Sequence, residues 1–351
     1  MTSNRPAPNS EAASGHGWSR FWLAPADPAQ LHRIRFLGGL LFVAWMLSFA
    51  GNQESLLSLA GWVDATAYVE GTRLEPPPPV PIGWSAFYLA GTNRAAFDLI
   101  YWGLIFATGL FTLGLMTRIT GILTWVAVVS FLSNPATSYD ADFLFGILAF
   151  YLMIGYLFYG FWNGGLSFVE RIIGPYDAFV LARRADAVRY SYAANVTLRL
   201  IQIHFAIIVV VGGLHKLQFS DWWAGVAFWY PLHSPFTMTR EKLEAAKQAA
   251  GLTLGLLSFV QYLFVAWEIA FPVFAWRRGW ARALLIGGAV LRWGVFALIM
   301  GLPWFGPFYL VCCLSYLHAD EWQRVRGVIG RIFGAREATP ARAAAGHKVT
   351  V

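Results

Sequence analysis

The sequence predicts an all-α integral membrane protein with about eight transmembrane helices in one bundle and both termini in the cytoplasm. Hydrophobic residues make up 57% of the chain and charged residues only 13%, about half the charged share of a typical soluble domain. Aromatic residues reach 17%, including 17 Trp, which is typical of the aromatic belts at membrane interfaces. No polar linker divides the apolar segments, so residues 31–320 are interpreted as one transmembrane domain.

Eight apolar runs of helical length are separated by polar segments, and each run is interpreted as one membrane crossing. The predicted spans are 34–50, 97–115, 119–132, 143–161, 196–217, 253–276, 283–300 and 303–317. Residues 1–30 are polar and lack the apolar core of a signal peptide, which predicts a disordered cytoplasmic tail, and residues 321–351 are a basic cytoplasmic tail. The long loop 51–96 contains aromatic residues such as Trp84 and Phe87, and we expect it to lie against the membrane surface.

The net charge of +7 follows the positive-inside rule of membrane topology. With the N-terminus inside, the predicted inner segments hold 19 Lys and Arg residues and the outer segments 6, while Arg292 lies within a span. This bias explains the basic excess without a nucleic-acid partner, and no basic-aromatic motif for nucleic acid stands out. We therefore expect a multi-pass protein whose partner is a lipid bilayer, the cytoplasmic membrane of a bacterium.

Several chemistries are excluded by the absence of their motifs. The two cysteines, Cys312 and Cys313, are adjacent within an apolar run, so they form neither a disulfide framework nor a metal-binding spacing, and we expect no metal site. The sequence also lacks the zinc-protease motif HExxH, the nucleophile elbow GxSxG, the Walker loop and a dinucleotide-binding fingerprint after a strand. Ionisable residues within the spans are therefore the candidates for function, because each is unfavourable in lipid.

Glu268 and Arg292 are predicted to meet inside the bilayer. Glu268 lies eight residues from the inner end of the sixth span, and Arg292 lies nine residues from the inner start of the seventh. At a rise of about 1.5 Å per residue, both are roughly 12–14 Å deep. Because the connection between the two spans is short, we expect an ion pair. It would either be structural and fix the helix register, or belong to a proton or substrate pathway.

A second polar group is predicted at the outer face, around the end of the fifth span. Its members are ionisable side chains at span ends and in short loops: Lys216, His215, Asp221, Asp98, Asp140 and Asp142. With Trp222 and Trp223 beside it, this group could bind a polar headgroup or hold Lys216 as a general base. In the alternative interpretation, Lys216 extends to the interface and the aspartates are simply hydrated.

His204 lies eleven residues before His215, close to three helical turns, so the two side chains share one helix face. They are roughly 16 Å apart, which is too far for one metal ion. They could line a cavity along the bundle, with His204 contributing to substrate binding. Alternatively, His204 is an ordinary hydrogen-bonded histidine of the core.

The segment GGLHKLQFSDWWAGVAFWYPLH, residues 212–233, resembles the core motif of the HTTM (horizontally transferred transmembrane) family. Shorter matches occur at other turns and spans of the chain: residues 114–118, 134–142, 266–272 and 300–305. The family includes the membrane domain of vitamin K-dependent gamma-glutamyl carboxylase. It also includes bacterial proteins similar to the sporulation-delaying toxin maturation protein.

This resemblance implies that Lys216 is a base, because the matching lysine of the carboxylase works with a reduced naphthoquinone-type quinol and oxygen. The chain differs from the carboxylase in two respects. It has no large region after the spans to hold a protein substrate, and it has Asp140 and Asp142 where the carboxylase has an assisting histidine. Carboxylation of peptidyl glutamate is therefore not the first interpretation, since one fold hosts many functions.

The function expected from these observations is that of a membrane-embedded enzyme. It would act at the outer face on a quinol-like or lipid-associated substrate. Lys216 would be the base, and His215 and Asp142 would tune or position it. Trp222 and Trp223 would line the entrance.

Two alternatives stay open at this point. The chain could be a non-catalytic membrane protein that assists the maturation, export or tolerance of a partner peptide, in which case the loop 51–96 and the surface aromatic residues matter most. It could also be a small-solute transporter whose relay consists of Glu268, Arg292 and His204, in which case Glu268 dominates. The enzyme interpretation instead requires Lys216 to be indispensable.

Overall fold

A computed structural model describes residues 17–61, 70, 73, 84–133, 142–161, 167–175, 190–229, 239–299, 301–318 and 320–324. Within these ranges the chain consists of helices and turns, with one isolated β-bridge and no strand. The chain divides into two compact units, Met1–Tyr316 and Leu317–Val351. In the second unit, the backbone N–H of His318 donates to the Glu321 carboxylate at 2.8 Å and caps a short helical turn.

The helices are numbered in chain order. Those of the first half are α1 (Gly17–Leu23), α2 (Ala29–Leu47), α3 (Gln53–Leu57), a 3₁₀ turn (Ala86–Ala90), α4 (Arg94–Leu113), α5 (Thr117–Leu132) and α6 (Asp142–Phe158). Those of the second half are α7 (Phe168–Ile173), α8 (Tyr192–Lys216), α9 (Ser220–Trp223), α10 (Arg240–Phe274), α11 (Ala281–Ile299) and α12 (Phe305–Leu314). Each of the eight predicted spans overlaps one of these helices.

Four helical stretches in the described residues are long and apolar enough to cross a membrane: Arg94–Leu113, Tyr192–Lys216, Gly255–Phe274 and Ala281–Ile299. Three further apolar helices, α5, α6 and α12, are shorter. The protein is therefore an all-helical membrane protein by the length and composition of its helices. The sixth predicted span is only the second part of α10, which is 35 residues long.

The core of the first unit is built from aromatic side chains that the helices bring together. Phe145 of α6 and Phe308 of α12 have ring centroids 3.8 Å apart, and Phe42 of α2 lies 5.0 Å from Phe308. Phe205 of α8 contacts Trp293 of α11 at 5.4 Å. Because aromatic pairs stabilise contacts beyond their buried area, the high aromatic content serves the interior as well as the membrane interfaces.

Part of the predicted disordered tail is ordered. Residues 17–23 form α1, and the side-chain amide of Asn195 donates to the carbonyls of Phe21 and Trp22, each at 2.9 Å. Ala26 and Ser191 form the isolated bridge, with hydrogen bonds of 3.2 and 2.9 Å. The prediction for residues 17–30 was wrong because the polar average of the tail concealed a short aromatic anchor.

The end of the long loop 51–96 is buried rather than spread over the surface. Phe87, on the 3₁₀ turn, is fully buried and packs against Phe97 and Phe131. The backbone N–H of Ala86 donates to the Ser130 hydroxyl at 2.9 Å. The loop therefore closes over one end of α4 and α5, and its residues 62–69, 71–72 and 74–83 lie outside the described part of the chain.

Candidate functional site

Two cationic side chains from two helices meet one carboxylate on a third helix. Lys216 of α8 donates from Nζ to Oε2 of Glu268, on α10. The Nε of Arg292, on α11, lies 3.1 Å from Oε1 of the same carboxylate. The exposed fractions of the three side chains are 18% for Lys216, 4% for Glu268 and 9% for Arg292. We call Lys216, Glu268 and Arg292 the triad.

Glycine residues allow the three helices to approach each other at the triad. A Cβ atom on Gly213 would lie 3.0 Å from the Cβ of Glu268, so the backbone of α8 touches the side-chain stem of the shared carboxylate. A Cβ atom on Gly288 would lie 2.2 Å from Nε1 of Trp267, the residue before Glu268. That indole donates to the carbonyl of Leu284 at 2.9 Å. Small residues at helix contacts in membranes permit this close packing.

Arg292 lies in a π-helical segment, Val290–Phe296, that interrupts α11. Such wider turns are rare and occur frequently at functional sites. Gly288, one turn before Arg292, is in contact with Trp267, and Arg292 itself reaches Glu268. The π-helical segment therefore lies where α11 contacts α10 through Arg292 and Glu268.

Aromatic rings surround the two cations of the triad. The Trp222 ring lies 5.4 Å from Nζ of Lys216. The rings of Phe264 and Phe228 lie 5.6 and 5.9 Å from the guanidinium carbon of Arg292. Rings at these distances attract cations through their quadrupole. They also separate the charges from lipid and water.

The segment after Lys216, residues 217–229, folds back along α10. Gln261 of α10 is fully buried, and its amide donates to the Trp222 carbonyl at 2.8 Å while its oxygen accepts from the Phe228 backbone N–H at 3.3 Å. Ser258 donates to the Gly225 carbonyl at 2.7 Å. Backbone that is not helical is tolerated at membrane depth only when its polar groups have such partners. These bonds hold Trp222 and Phe228 against the triad.

The sequence placed Lys216 apart from Glu268, and this separation is wrong. Glu268 is thirteen residues from Gly255, roughly 20 Å along the apolar part of α10. Lys216 reaches this depth because residues 217–229 return beside α10 instead of leading directly away from it. The depth of Lys216 was predicted by counting residues from the end of its span, and such a count does not show that the following segment folds back along α10. The ion pair expected between Glu268 and Arg292 is present, and Lys216 is its third member.

None of the aspartates predicted around Lys216 is its ion-pair partner among the described residues. The hydrogen bond of Lys216 goes to Glu268 and not to an aspartate. Asp221 is exposed, and Asp98 and Asp142 are half-buried on α4 and at the start of α6. Asp140 lies outside the described residues. In the part of the chain that the structure describes, the carboxylate on Lys216 is therefore Glu268 and not one of the predicted aspartates.

His215 and Trp223 are next to the triad in sequence but face outward. His215 is exposed, and its ring packs on Phe219 with centroids 5.1 Å apart. Trp223 is 64% exposed and donates from its indole to the Leu217 carbonyl at 2.6 Å. Of the two tryptophans predicted at the entrance, Trp222 is the one that lies over Lys216.

His204 does not join the triad. Its Nδ1 lies 2.9 Å from the Tyr151 hydroxyl on α6 and 3.3 Å from the Leu200 carbonyl on its own helix. It thus links α8 to α6, as expected for a hydrogen-bonded core histidine. A relay that runs directly from Glu268 to His204 has no support in these contacts.

A buried polar cluster between α2 and α6 was missed by the sequence analysis. His32 lies 2.6 Å from the Tyr156 hydroxyl and 3.2 Å from the Tyr159 hydroxyl. Arg35 is fully buried and donates to the Tyr156 hydroxyl at 3.1 Å. A signal was available, since Tyr156 and Tyr159 are three residues apart at the end of the apolar run, where Tyr159 directly follows α6. The basic residues at the start of α2 also fit the positive-inside rule, so the sequence alone does not single them out.

Fold and site together define a helical membrane protein with an ion triad buried between three of its helices. Among the described residues, no group of three or more His, Cys, Asp and Glu side chains is arranged to hold a metal ion. No protein-family model, curated protein or solved structure matches the chain. The function is therefore argued from the triad and its surroundings.

Proposed function

We propose that the protein is a membrane-embedded enzyme of the HTTM type in which Lys216 is a general base toward a lipid-soluble, quinol-like substrate. The observation that carries this proposal is the position of Lys216 on a carboxylate that it shares with Arg292. A purely structural ion pair between two helices needs one cation. This site has two.

The charge count of the triad supports the role of Lys216. Glu268 and the permanently charged Arg292 balance each other, so the Lys216 ammonium is the surplus charge. Departure of its proton leaves a neutral amine beside a neutral ion pair, whereas neutralisation of Glu268 leaves two cations without a counter-ion, and an arginine does not give up its proton. Among the three groups, Lys216 is thus the one that can give up and accept a proton with the least electrostatic disturbance.

The surroundings of Lys216 fit an apolar aromatic substrate. Its side chain is 18% exposed, and nearby apolar side chains face outward, with Leu214 at 48% and Phe219 at 50% exposure. The Trp222 ring offers a stacking surface beside the amine.

The proposed step is a single proton transfer. The neutral amine of Lys216 takes the proton of a quinol-type hydroxyl, so that an O–H bond breaks and an N–H bond forms. Glu268 stabilises the resulting ammonium, and Arg292 holds Glu268 in place. With oxygen, a reduced naphthoquinone would supply the oxidative chemistry that the family resemblance implies.

His215 and Glu268 complete the proposed assignment. His215, the residue before Lys216 in α8, is exposed, and in this proposal it exchanges protons between the site and the surface. Glu268 takes the positioning role that the sequence analysis gave to Asp142, because Glu268 is the carboxylate in contact with Lys216.

We further propose eight membrane crossings, with both termini in the cytoplasm of a bacterium. The overlap of eight helices with the eight apolar runs supports the proposed number of crossings. The distribution of Lys and Arg supports the orientation. The orientation is tested with cysteine substitutions at Arg94 and Arg278 that are exposed to a membrane-impermeant thiol reagent outside intact cells. Only the position at Arg94 should react.

The enzyme proposal is tested with purified protein reconstituted in lipid and supplied with reduced naphthoquinone and oxygen. Quinone epoxide is measured by mass spectrometry for the wild type, Lys216→Ala and Lys216→Arg. Lys242→Ala, at an exposed lysine of α10, is the matched control. We expect epoxide from the wild type and the control only. Equal product from Lys216→Arg would reject the base role, since arginine keeps the charge but does not give up its proton.

A transporter is the second candidate, and the central position of Glu268 favours it. In that case Glu268 exchanges its two cationic partners during a transport cycle, and a permanent cation at position 216 preserves function. Proton uptake by proteoliposomes carrying Lys216→Arg and Glu268→Gln separates the two functions. A transporter keeps its proton uptake in Lys216→Arg and loses it in Glu268→Gln.

A further inference from the structure

A cleft with two arginines opens at the end of the bundle where α4 turns into α5. Its volume is about 390 Å³. Arg118, at the start of α5, and Arg171, on α7, contribute its charged groups. Its remaining walls are apolar side chains of α5, α7, the end of α6 and the turn after α6, including Ile122, Leu157, Phe161 and Ile172. The triad lies on other helices, so the cleft is separate from the proposed active site.

Arg118 is a buried cation with unused hydrogen-bonding capacity. It is only 6% exposed. Its Nη2 donates to the Tyr159 carbonyl at 3.1 Å, and its Nε has no hydrogen-bond partner in the described part of the chain. A guanidinium carries five N–H donors. A buried charge that is paired only with a neutral carbonyl is strongly unfavourable unless an anion joins it.

Arg171 adds a second positive charge to the cleft, and its acidic neighbour is engaged elsewhere. Glu170 accepts from the backbone N–H and the hydroxyl of Ser167 at 2.9 and 2.8 Å, which completes the capping box of α7. Its carboxylate is thus directed to the start of the helix. The charged groups that line the cleft are both cationic.

The walls of the cleft continue into an exposed apolar surface. Ile122 is 41% exposed, Phe161 65% and Ile172 53%. Phe168, on the same short helix as Arg171, is 78% exposed. A free phosphate ion needs only the two arginines. A ligand with a phosphate and acyl chains uses the arginines and the apolar walls together.

We propose that this cleft binds an anionic phospholipid, with its phosphate between Arg118 and Arg171 and an acyl chain along Ile122 and Phe161. Basic pockets between membrane helices on the cytoplasmic side are suited to anionic headgroups. The predicted topology places Arg118 and Arg171 on that side. The proposal does not depend on the activity of the triad.

The test is native mass spectrometry of the protein in neutral detergent with phosphatidylglycerol or phosphatidylcholine. We expect the wild type to retain phosphatidylglycerol preferentially. Arg171→Gln should lower this retention about five-fold, the effect of one basic residue near an anionic surface. Ile122→Trp should lower it without a change of charge. Arg278→Gln, at an exposed arginine away from the cleft, is the control.

Three outcomes would overturn the proposal. Equal retention of the two lipids would exclude charge recognition, and an equal loss in Arg278→Gln and Arg171→Gln would indicate diffuse attraction instead of a site. Displacement of the lipid by inorganic phosphate at millimolar concentration would identify a phosphate-ion site. The variants Arg171→Gln and Ile122→Trp change exposed positions, so the test does not depend on the buried Arg118.

Discussion

Removal of the Glu268 charge should destabilise the protein far more than removal of a surface carboxylate. Glu268→Gln leaves the ammonium of Lys216 and the guanidinium of Arg292 close together and without a counter-ion. Breaking a buried ion pair by removing one partner costs about 3–5 kcal/mol. Here two cations lose the same partner, so we expect the upper part of that range.

A surface ion pair provides the matched control. Glu54 and Arg94 are 3.3 Å apart, with side chains 40% and 75% exposed. Exposed pairs contribute about 0–1 kcal/mol, so Glu54→Gln should change the free energy of unfolding by less than about 1 kcal/mol. Both variants are to be compared by reversible unfolding in mixed micelles with increasing dodecyl sulfate.

A triple variant separates the charge effect from the loss of shape. Lys216→Met, Glu268→Leu and Arg292→Met together replace the triad by apolar side chains of similar length. Such replacements are often neutral or stabilising, so the triple variant should recover most of the lost stability while lacking enzymatic activity. If the free energies of unfolding of Glu268→Gln and Glu54→Gln differ by less than about 0.5 kcal/mol, Glu268 does not hold two buried cations.

Three further predictions concern the packing around the site and at the start of α8. Gly213→Val should destabilise the protein by about 1–3 kcal/mol in the same unfolding assay, because the new side chain meets Glu268. A Cβ on Gly212 has open space, so Gly212→Val should have a clearly smaller effect. Equal effects of the two variants would contradict the close contact between α8 and α10. Gln261→Leu removes the hydrogen-bond partners of backbone groups in residues 217–229 and should lower the free energy of unfolding by about 1–3 kcal/mol. Amide hydrogen exchange should become faster in that segment only. Unchanged exchange would show that Gln261 does not hold the segment. Asn195→Ala should release α1 and make trypsin cleave faster after Arg20, and an unchanged cleavage rate would show that contacts other than the Asn195 hydrogen bonds hold α1.

The sequence was sufficient to predict the helices and one contact between them. Each apolar run overlaps a helix because lipid solvent requires long stretches of apolar side chains. Glu268 and Arg292 could be paired because they flank a short connection, so a count of residues gives their relative depth. Lys216 could not be placed in this way. Its depth depends on the path of residues 217–229, which is set by Gln261 and Ser258, two polar residues with no distinctive spacing.

The order in which the triad residues leave the ribosome has a consequence for membrane insertion. Lys216 is made 52 residues before Glu268, and Arg292 follows 24 residues after Glu268. A lone lysine or glutamate at this depth is unfavourable in lipid. Helix α8 should therefore stay beside the insertion machinery until α10 and α11 emerge. The three helices would then enter the bilayer together, as a nearly charge-balanced unit and not as separate spans.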